Sequence, residues 1–561
     1  MQRRYGWGAE EIAPGTWSFA LWAPDAHEVF AETGGQRIAM PPTQDGWHVG
    51  TGAARAGDTY RLNVDGTSIP DPASRAQDGD VHAASLLVPP ADPPIWPGRP
   101  WEEAVIFEMH VGLFTPEGTF RAAIARLPDL ARMGITVIEV MPIAQFPGQR
   151  GWGYDGVLHY APHTAYGTPD DVRAFVAAAH EAGLSVILDV VFNHFGPDGA
   201  WIHHASPTFF DPDIQTPWGA SIAFHEPAVR RYFIDNALYW LREFGFDGFR
   251  FDAVDQIRDR EEPEFLVELG EAIRAEGFDR PIHLTTEDNR NITRLHDENG
   301  PYDGEWNDDY HHCIHVLLTG ETFDYYASFG PAPFHDLCLS LECGFVEQGQ
   351  PRPPQKTGRG EKSCDLPWHA FVNFNQNHDQ TGNRAKGERL LALADPQAVK
   401  VAHGLLLLGP FIPMLFMGEE AGETAPFQFF VDFEGDLADA TRKGRHDEFP
   451  SVKEFPDPVD PATFERSRPY TSETAETAVW RDLTARLLAL RHDRIVPLMK
   501  SGRAGDAVVE RLGGRALIAT WPFALGTLRV AVDFGGAESF PEGGAFRMEE
   551  GPYRLAAFLD A

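Results

Sequence analysis

From Val105 onward the chain repeats one pattern, a short apolar run followed by polar residues and then apolar positions at helical spacing. The runs are Val105 to Phe107, Ile135 to Val140, Val186 to Val191, Gly248 to Asp252, Ile282 to Glu287, Phe371 to Phe374 and Ile412 to Phe416. A weaker one spans Tyr302 to Trp306. Nearly unbroken apolarity predicts strands buried on both faces, as in a parallel sheet. The helices between them carry their own signals. Thr168-Pro169-Asp170-Asp171 offers an N-cap, a proline in the first turn and acidic residues behind it, and Gly183 suits the position just past the C-terminus. Val229, Phe233, Ala237, Trp240, Leu241 and Phe244 form one apolar face, and Thr477 to Leu490 predicts a last helix with Leu483, Leu487 and Leu490 inward. Eight strand–helix units fit a doubly wound sheet or a (β/α)8 barrel, and the count favours the barrel.

The flanks read differently. Thr16 to Trp22 and Asp58 to Val64 have aromatic and β-branched content between Gly, Pro and Asp clusters, which predicts a small β domain. The proline-rich stretch from Val88 to Pro94 then marks a linker, because prolines stiffen the chain and refuse ladder hydrogen bonds. After Met499 short β-like runs return, for example Arg515 to Trp521. The expected architecture is multidomain: an N-terminal β-sandwich over 1–90, a central (β/α)8 TIM barrel with inserted loops over 91–500, and a small C-terminal β domain over 501–561.

Composition narrows the partners. Hydrophobic residues at 43% and charged residues at 23% exclude wholesale disorder. Lys and Arg number 47 against 83 Asp and Glu, a formal net charge of −36, so nucleic acid and anionic membrane surfaces are poor partners. Neutral sugars remain open, and aromatic residues at 12% supply faces to stack on them. The four cysteines, Cys313, Cys338, Cys343 and Cys364, make neither a disulfide framework nor a zinc motif and read as buried or idle thiols of a reducing compartment. No apolar leader run follows Met1-Gln2-Arg3-Arg4, and the stretch from Gly404 to Met417 is broken by Pro410 and Pro413 and too short for a bilayer. A cytoplasmic protein is expected.

The acids carry the chemistry. Asp189, Asp252 and Glu287 lie at or near the C-terminal ends of their runs, Asp379 soon follows its own, and Asn193, His194, Arg250 and His378 accompany them. Any one of these acids could cap a helix, but in a barrel those ends converge on one mouth. Arg250 and Asp252 are two apart in an extended strand, so both point the same way and the guanidinium favours an ionised carboxylate, as a nucleophile requires. Glu287, beside Asp288 and partly buried, suits a general acid, while Asp379 could hold hydroxyls and oppose positive charge at an anomeric carbon. Two carboxyls in such roles describe glycoside hydrolysis, with retention and a separation of about 5–5.5 Å if Asp252 attacks directly.

Four segments, Asp189 to His194, Gly248 to Val254, Thr286-Glu287-Asp288 and Asn377-His378-Asp379, resemble in order the four conserved regions of the α-amylase superfamily. The resemblance implies Asp252 as nucleophile, Glu287 as acid/base and Asp379 as transition-state stabiliser. Phe107 to Phe120, Gly151 to Val157, Thr216-Pro217-Trp218-Gly219 and Trp306 to His312 resemble the maltooligosyltrehalose trehalohydrolase branch, although Phe-Glu-Met-His replaces an expected Tyr-Glu-Leu-His. The N-terminal β domain also fits that branch, which shares it with branching and debranching enzymes. The branch cleaves the α-1,4 bond next to a terminal trehalose, which implies a maltooligosyltrehalose substrate and a synthase acting beforehand. Tyr154 would stack on the sugar, or else pack on the barrel rim. His194 and His378 would hydrogen-bond its hydroxyls as neutral imidazoles, with Asp189 and Arg250 beside them. On resemblance, Asp255, Asp308, Asp309, His311 and Gln380 would bind the trehalose or glucan side, and Trp218 is a subsite wall or core. Asn193 sits where some α-amylases bind calcium, but no acid-rich oxygen cage is evident, so neither metal nor cofactor is expected. The alternatives are a glucan branching or debranching enzyme, and a catalytically dead carbohydrate-binding barrel, against which the retention of all three acids argues.

Overall fold

The computed structural model describes residues 3–560 apart from 451, 453, 471–473 and 538. Met1 and Gln2, where the leader reading begins, and Ala561 of the expected C-terminal domain lie outside the described residues. All eight apolar runs become strands: β1 (Ile106–Met109), β2 (Val137–Val140), β3 (Ser185–Val190), β4 (Gly248–Phe251), β5 (His283–Thr286), β6 (Gly304–Trp306), β7 (Phe371–Phe374) and β8 (Ile412–Phe416). They pair in parallel in sequence order, and β8 closes on β1 with Met414 opposite Ile106, so the sheet is a barrel and not doubly wound. The weakness of the sixth run has a physical cause. Its middle residue, Glu305, is buried, accepts from Asp288 N at 2.6 Å and lies 2.8 Å from His296 Nε2, so a polar contact replaces an apolar one. Gly248 opens β4 at φ +152°, where a Cβ would sit 1.7 Å from the carbonyl oxygen of His283. Only glycine lets β4 approach β5 there.

Local chemistry sets the helix ends. Thr168 and Asp171 form a reciprocal capping box on the helix Pro169–Glu181. The last long helix is Ala475–Leu490, starting ahead of Thr477, because Thr474 caps it and Thr477 is the third helical residue of that box. Antiparallel sheets flank the barrel. At the N-terminal side Thr16–Trp22 is central in a three-stranded sheet, facing a second sheet built around Val29–Thr33 and Thr59–Val64. These sheets dock on the helix Pro227–Glu243: Trp7 Nε1 donates to Ala228 O at 2.9 Å, and the Arg75 guanidinium lies over Tyr160 and Tyr239 at 4.0 and 4.5 Å. At the other end a five-stranded sheet over Val508–Asp560 is fastened by Trp521 Nε1 to Leu341 O at 3.0 Å.

One expectation is corrected. Cys343 and Cys364 are joined in a disulfide, and Cys313 and Cys338 alone are buried thiols. Spacing could not reveal this pairing, because the loop between the two cysteines folds back on itself: Gly349 N donates to Arg359 O at 2.7 Å. Among the described residues no helix is long and apolar enough to cross a membrane.

Candidate active site

The C-terminal mouth of the barrel is organised by one cation. Arg250, the third residue of β4, is fully buried, and it stays charged because three carboxylates surround it. Its Nη1 donates to Asp189 Oδ2 at 2.7 Å and to Asp252 Oδ1 at 3.0 Å, and its Nη2 donates to Glu287 Oε2 at 2.5 Å. Trp306 of β6 closes the remaining face, its ring centre 4.0 Å from the guanidinium carbon. Asn193 Nδ2 donates to the second oxygen of Asp252 at 2.9 Å, so that carboxylate is oriented through both oxygens.

The backbone contributes as well. Ala253 sits at φ +40°, a left-handed conformation costly for a residue with a Cβ, and there its N–H donates to Glu287 Oε2 at 3.0 Å. Burial raises the Glu287 carboxyl above the ordinary glutamate range; Arg250 pulls it down and the charge of Asp252 pushes it further up. Asp189 is raised to about 7, first by burial, although Arg250 opposes this and Tyr154 donates to it at 2.6 Å.

His378 differs from the neutral imidazole expected of it. Burial disfavours its charge, but Asp379 and Glu108 outweigh burial and hold its pKa up at about 9. Its Nδ1–H donates to Glu108 Oε1 at 2.5 Å, and its Nε2 lies 3.4 Å from Asp379 Oδ1. The Tyr154 ring stacks on this imidazolium at 5.0 Å and 17°. His194, lowered by burial to about 4, is neutral; its Nε2 donates to Tyr154 O at 2.9 Å and its ring carries Trp218 face to face at 4.2 Å.

Two cavities meet at the acids. One, of about 350 Å³, is aromatic: Trp152, Tyr154, His194, Trp218 and Phe429 line it together with Asp252, Glu287 and Asp379. The other, of about 440 Å³, is polar and is lined by Asp308, Gln350, Arg352, Arg359, Gln380 and Asn383 among others. Glu287 and Asp379 line both, whereas Asp252 lines only the aromatic one. Within the polar cavity Gln380 Nε2 donates to Asp308 Oδ1 at 3.1 Å, and burial, with Glu287 and Asp379 nearby, pushes Asp308 up to about 7.

Three of the residues singled out from the sequence are engaged elsewhere. Asp309 accepts from Val346 N at 2.7 Å and Glu347 N at 2.8 Å, so it anchors the loop that walls the polar cavity. His311 is buried with Nδ1 on Asn375 O at 2.7 Å and Nε2 on Tyr326 OH at 2.9 Å, leaving neither nitrogen for the mouth. Asp255, raised by burial and by Asp288, takes Gln256 Nε2 at 2.6 Å and lines neither cavity. Conversely, Glu108, Trp152 and Trp306, although inside the segments that carry the resemblance, were given no site role from the sequence, and the arginines of the 344–363 loop were not singled out at all. A polar residue in β1, Glu108, was the one available signal; the loop has no periodicity to read.

A closed parallel barrel with carboxylates gathered at its C-terminal mouth fits an α-amylase catalytic domain. The family model "Alpha amylase, catalytic domain" matches residues 72–215. The malto-oligosyltrehalose trehalohydrolase of Arthrobacter ramosus is 38% identical over 96% of each chain, and the chain belongs to the malto-oligosyltrehalose trehalohydrolase family. A crystal structure of a Salmonella typhimurium protein, provisionally assigned as an alpha amylase, superposes with a TM-score of 0.95 at 47% identity, covering 99% of this chain and 100% of that one. The branching enzyme GlgB of Bacillus caldolyticus is more distant, at 28% identity over 77% of this chain and 68% of its own.

Proposed function

We propose that the protein hydrolyses the α-1,4-glucosidic bond next to the terminal trehalose of a maltooligosyltrehalose and releases free trehalose with retention at the cleaved centre. Asp252, ionised beside Arg250 and oriented by Asn193, attacks the anomeric carbon while Glu287 gives its proton to the glycosidic oxygen. Trehalose departs and a glycosyl ester on Asp252 remains. Loss of the Asp252 charge removes an interaction that raises Glu287, so the same carboxyl is then the stronger acid and suits the base role. It takes a proton from water, the water attacks the ester, and the shortened maltooligosaccharide leaves. Asp379 and the His378 imidazolium hold hydroxyls of the reacting glucose, and Asp379 opposes the positive charge that develops on it.

The observation that carries this reading is the position of the acids where an aromatic and a polar cavity meet. The leaving group departs from the side of the proton donor, and Asp252 does not line the polar cavity, which supports trehalose as its occupant. Such a substrate must come from a reaction that has already turned the reducing end into a trehalose linkage. Paired incubation with maltotriosyltrehalose and maltopentaose, followed by chromatography, tests the reading. Fast trehalose release with slow maltopentaose cleavage is expected; equal cleavage would make the protein a general α-glucanase, and no cleavage of either would refute it.

A further inference from the structure

The aromatic cavity does not end at Trp218. On the far side of that residue lies a third cavity of about 650 Å³, and Asp155 and Trp218 line both. The two spaces therefore adjoin at Asp155 and Trp218, the first reaching the acids and the second reaching Trp201 and His82. Trp218 remains 48% exposed although one of its faces is covered by His194 at an interplanar angle of 5°. A flat ring fixed from below and open to solvent is a platform for the apolar face of a pyranose.

The far end is built from two parts of the chain. Trp201 follows the β3 loop of the barrel. His82 comes from the N-terminal β region, where its carbonyl accepts from Arg61 at 3.0 Å. The His82 ring meets Trp201 edge-on at 5.8 Å and 88°, and its Nε2 is 3.1 Å from Asp198 Oδ2. Aromatic faces interleaved with Asp155 and Asp198 suit a neutral, hydroxyl-rich chain: the rings take the C–H faces and the carboxylates accept from hydroxyls. The acidic lining, in a protein of net charge −36, disfavours anionic ligands.

We propose that this groove holds the distal, non-reducing glucoses of the glucan arm, so that the N-terminal β region helps to set chain-length preference. The assignment rests on the trehalohydrolase reading. Its direction follows from Asp252: the glucose that joins Asp252 lies in the cavity that Asp252 lines, and the groove adjoining that cavity takes the glucoses on its non-reducing side, with trehalose opposite.

The test compares kcat/KM of the full chain for maltosyltrehalose and maltohexaosyltrehalose in wild type, His82→Ala and Trp201→Ala. Wild type is expected to favour the longer substrate. Each variant should lose roughly five- to tenfold on the longer substrate, as for one lost aromatic contact, and less than twofold on the shorter. Equal losses on both substrates, or no loss on the longer one, overturn the proposal. His82 lies at the surface, so its variant keeps the test decisive even if Trp201→Ala does not fold. Trehalose release by wild type from maltosyltrehalose checks the underlying reading separately, because that substrate does not reach the groove.

Discussion

Arg250 Nη2 donates to Glu287 Oε2 at 2.5 Å, so the group proposed as general acid sits against a permanent cation. Taken alone this contact would favour the carboxylate and remove the proton that the reaction needs. Burial and the charge of Asp252 act in the opposite direction and prevail, leaving Glu287 raised above its ordinary value of 4.5. The same guanidinium donates to Asp252 at 3.0 Å, so one residue holds both carboxyls in place. The consequence is that the proposed acid depends on the charge state of the proposed nucleophile.

The pH dependence follows from that balance. A general acid works while protonated, so kcat/KM should fall as pH rises through the raised pKa of Glu287. Glu287→Gln should lose about 10²- to 10⁴-fold on maltooligosyltrehalose. On α-maltotriosyl fluoride, whose leaving group needs no proton, it should lose much less in the first step. kcat/KM across pH for both substrates, which reports the first step alone, checks this, and equal losses in it on the two would remove Glu287 from the acid role.

Asp252→Asn should abolish trehalose release, with a loss of at least about 10⁴-fold, while leaving the fold intact. Arg250 keeps Asp189 at 2.7 Å and Glu287 at 2.5 Å as partners, so no buried charge is stranded. Activity and the thermal midpoint, measured on the same preparation, separate chemistry from stability. Substantial residual turnover would contradict the nucleophile assignment.

His378 links stability to pH. Its pKa is held at about 9 in the folded protein against 6.5 when free, so the stabilisation is fully present below pH 6.5 and is lost as pH rises through about 9. The size expected is on the order of 3 kcal/mol. Glu108→Gln removes one of the two anions responsible and should flatten the decline between pH 6.5 and 9. Urea unfolding at several pH values measures it, and an unchanged slope would show that Glu108 does not hold the imidazolium.

The disulfide closes the loop that walls the polar cavity. Cys343 and Cys364 bracket Glu347, Gln350, Arg352, Gln355, Thr357 and Arg359, all of which line that space. Cys364→Ser should therefore raise KM for maltooligosyltrehalose severalfold, affect kcat less, and cost about 3 kcal/mol of stability from the freed loop. Kinetics of the wild type with and without reductant provide the matching control. An unchanged KM would mean that Asp309, with its bonds of 2.7 and 2.8 Å to Val346 N and Glu347 N, holds the loop by itself.

Much of the protein was legible from the order of its residues. Seven of the barrel strands coincide with runs of apolar residues, because a strand buried on both faces has little room for anything else, and the eighth, β6, coincides with the weaker run that carries Glu305. Arg250 and Asp252 share a direction through strand alternation alone, and the acids at the C-terminal ends of β3, β4 and β5 meet because a parallel barrel brings those ends together. What the tertiary structure decided is which distant group satisfies each polar side chain. Asp309 turns to the loop at Val346, His311 turns to Asn375 and Tyr326, Cys343 finds Cys364, and His378 becomes a cation between Glu108 and Asp379. Periodicity reports only that a face is buried. A hydrogen bond or charge pair between residues tens to hundreds of positions apart leaves no period in the chain, and exists only once the chain has folded around it.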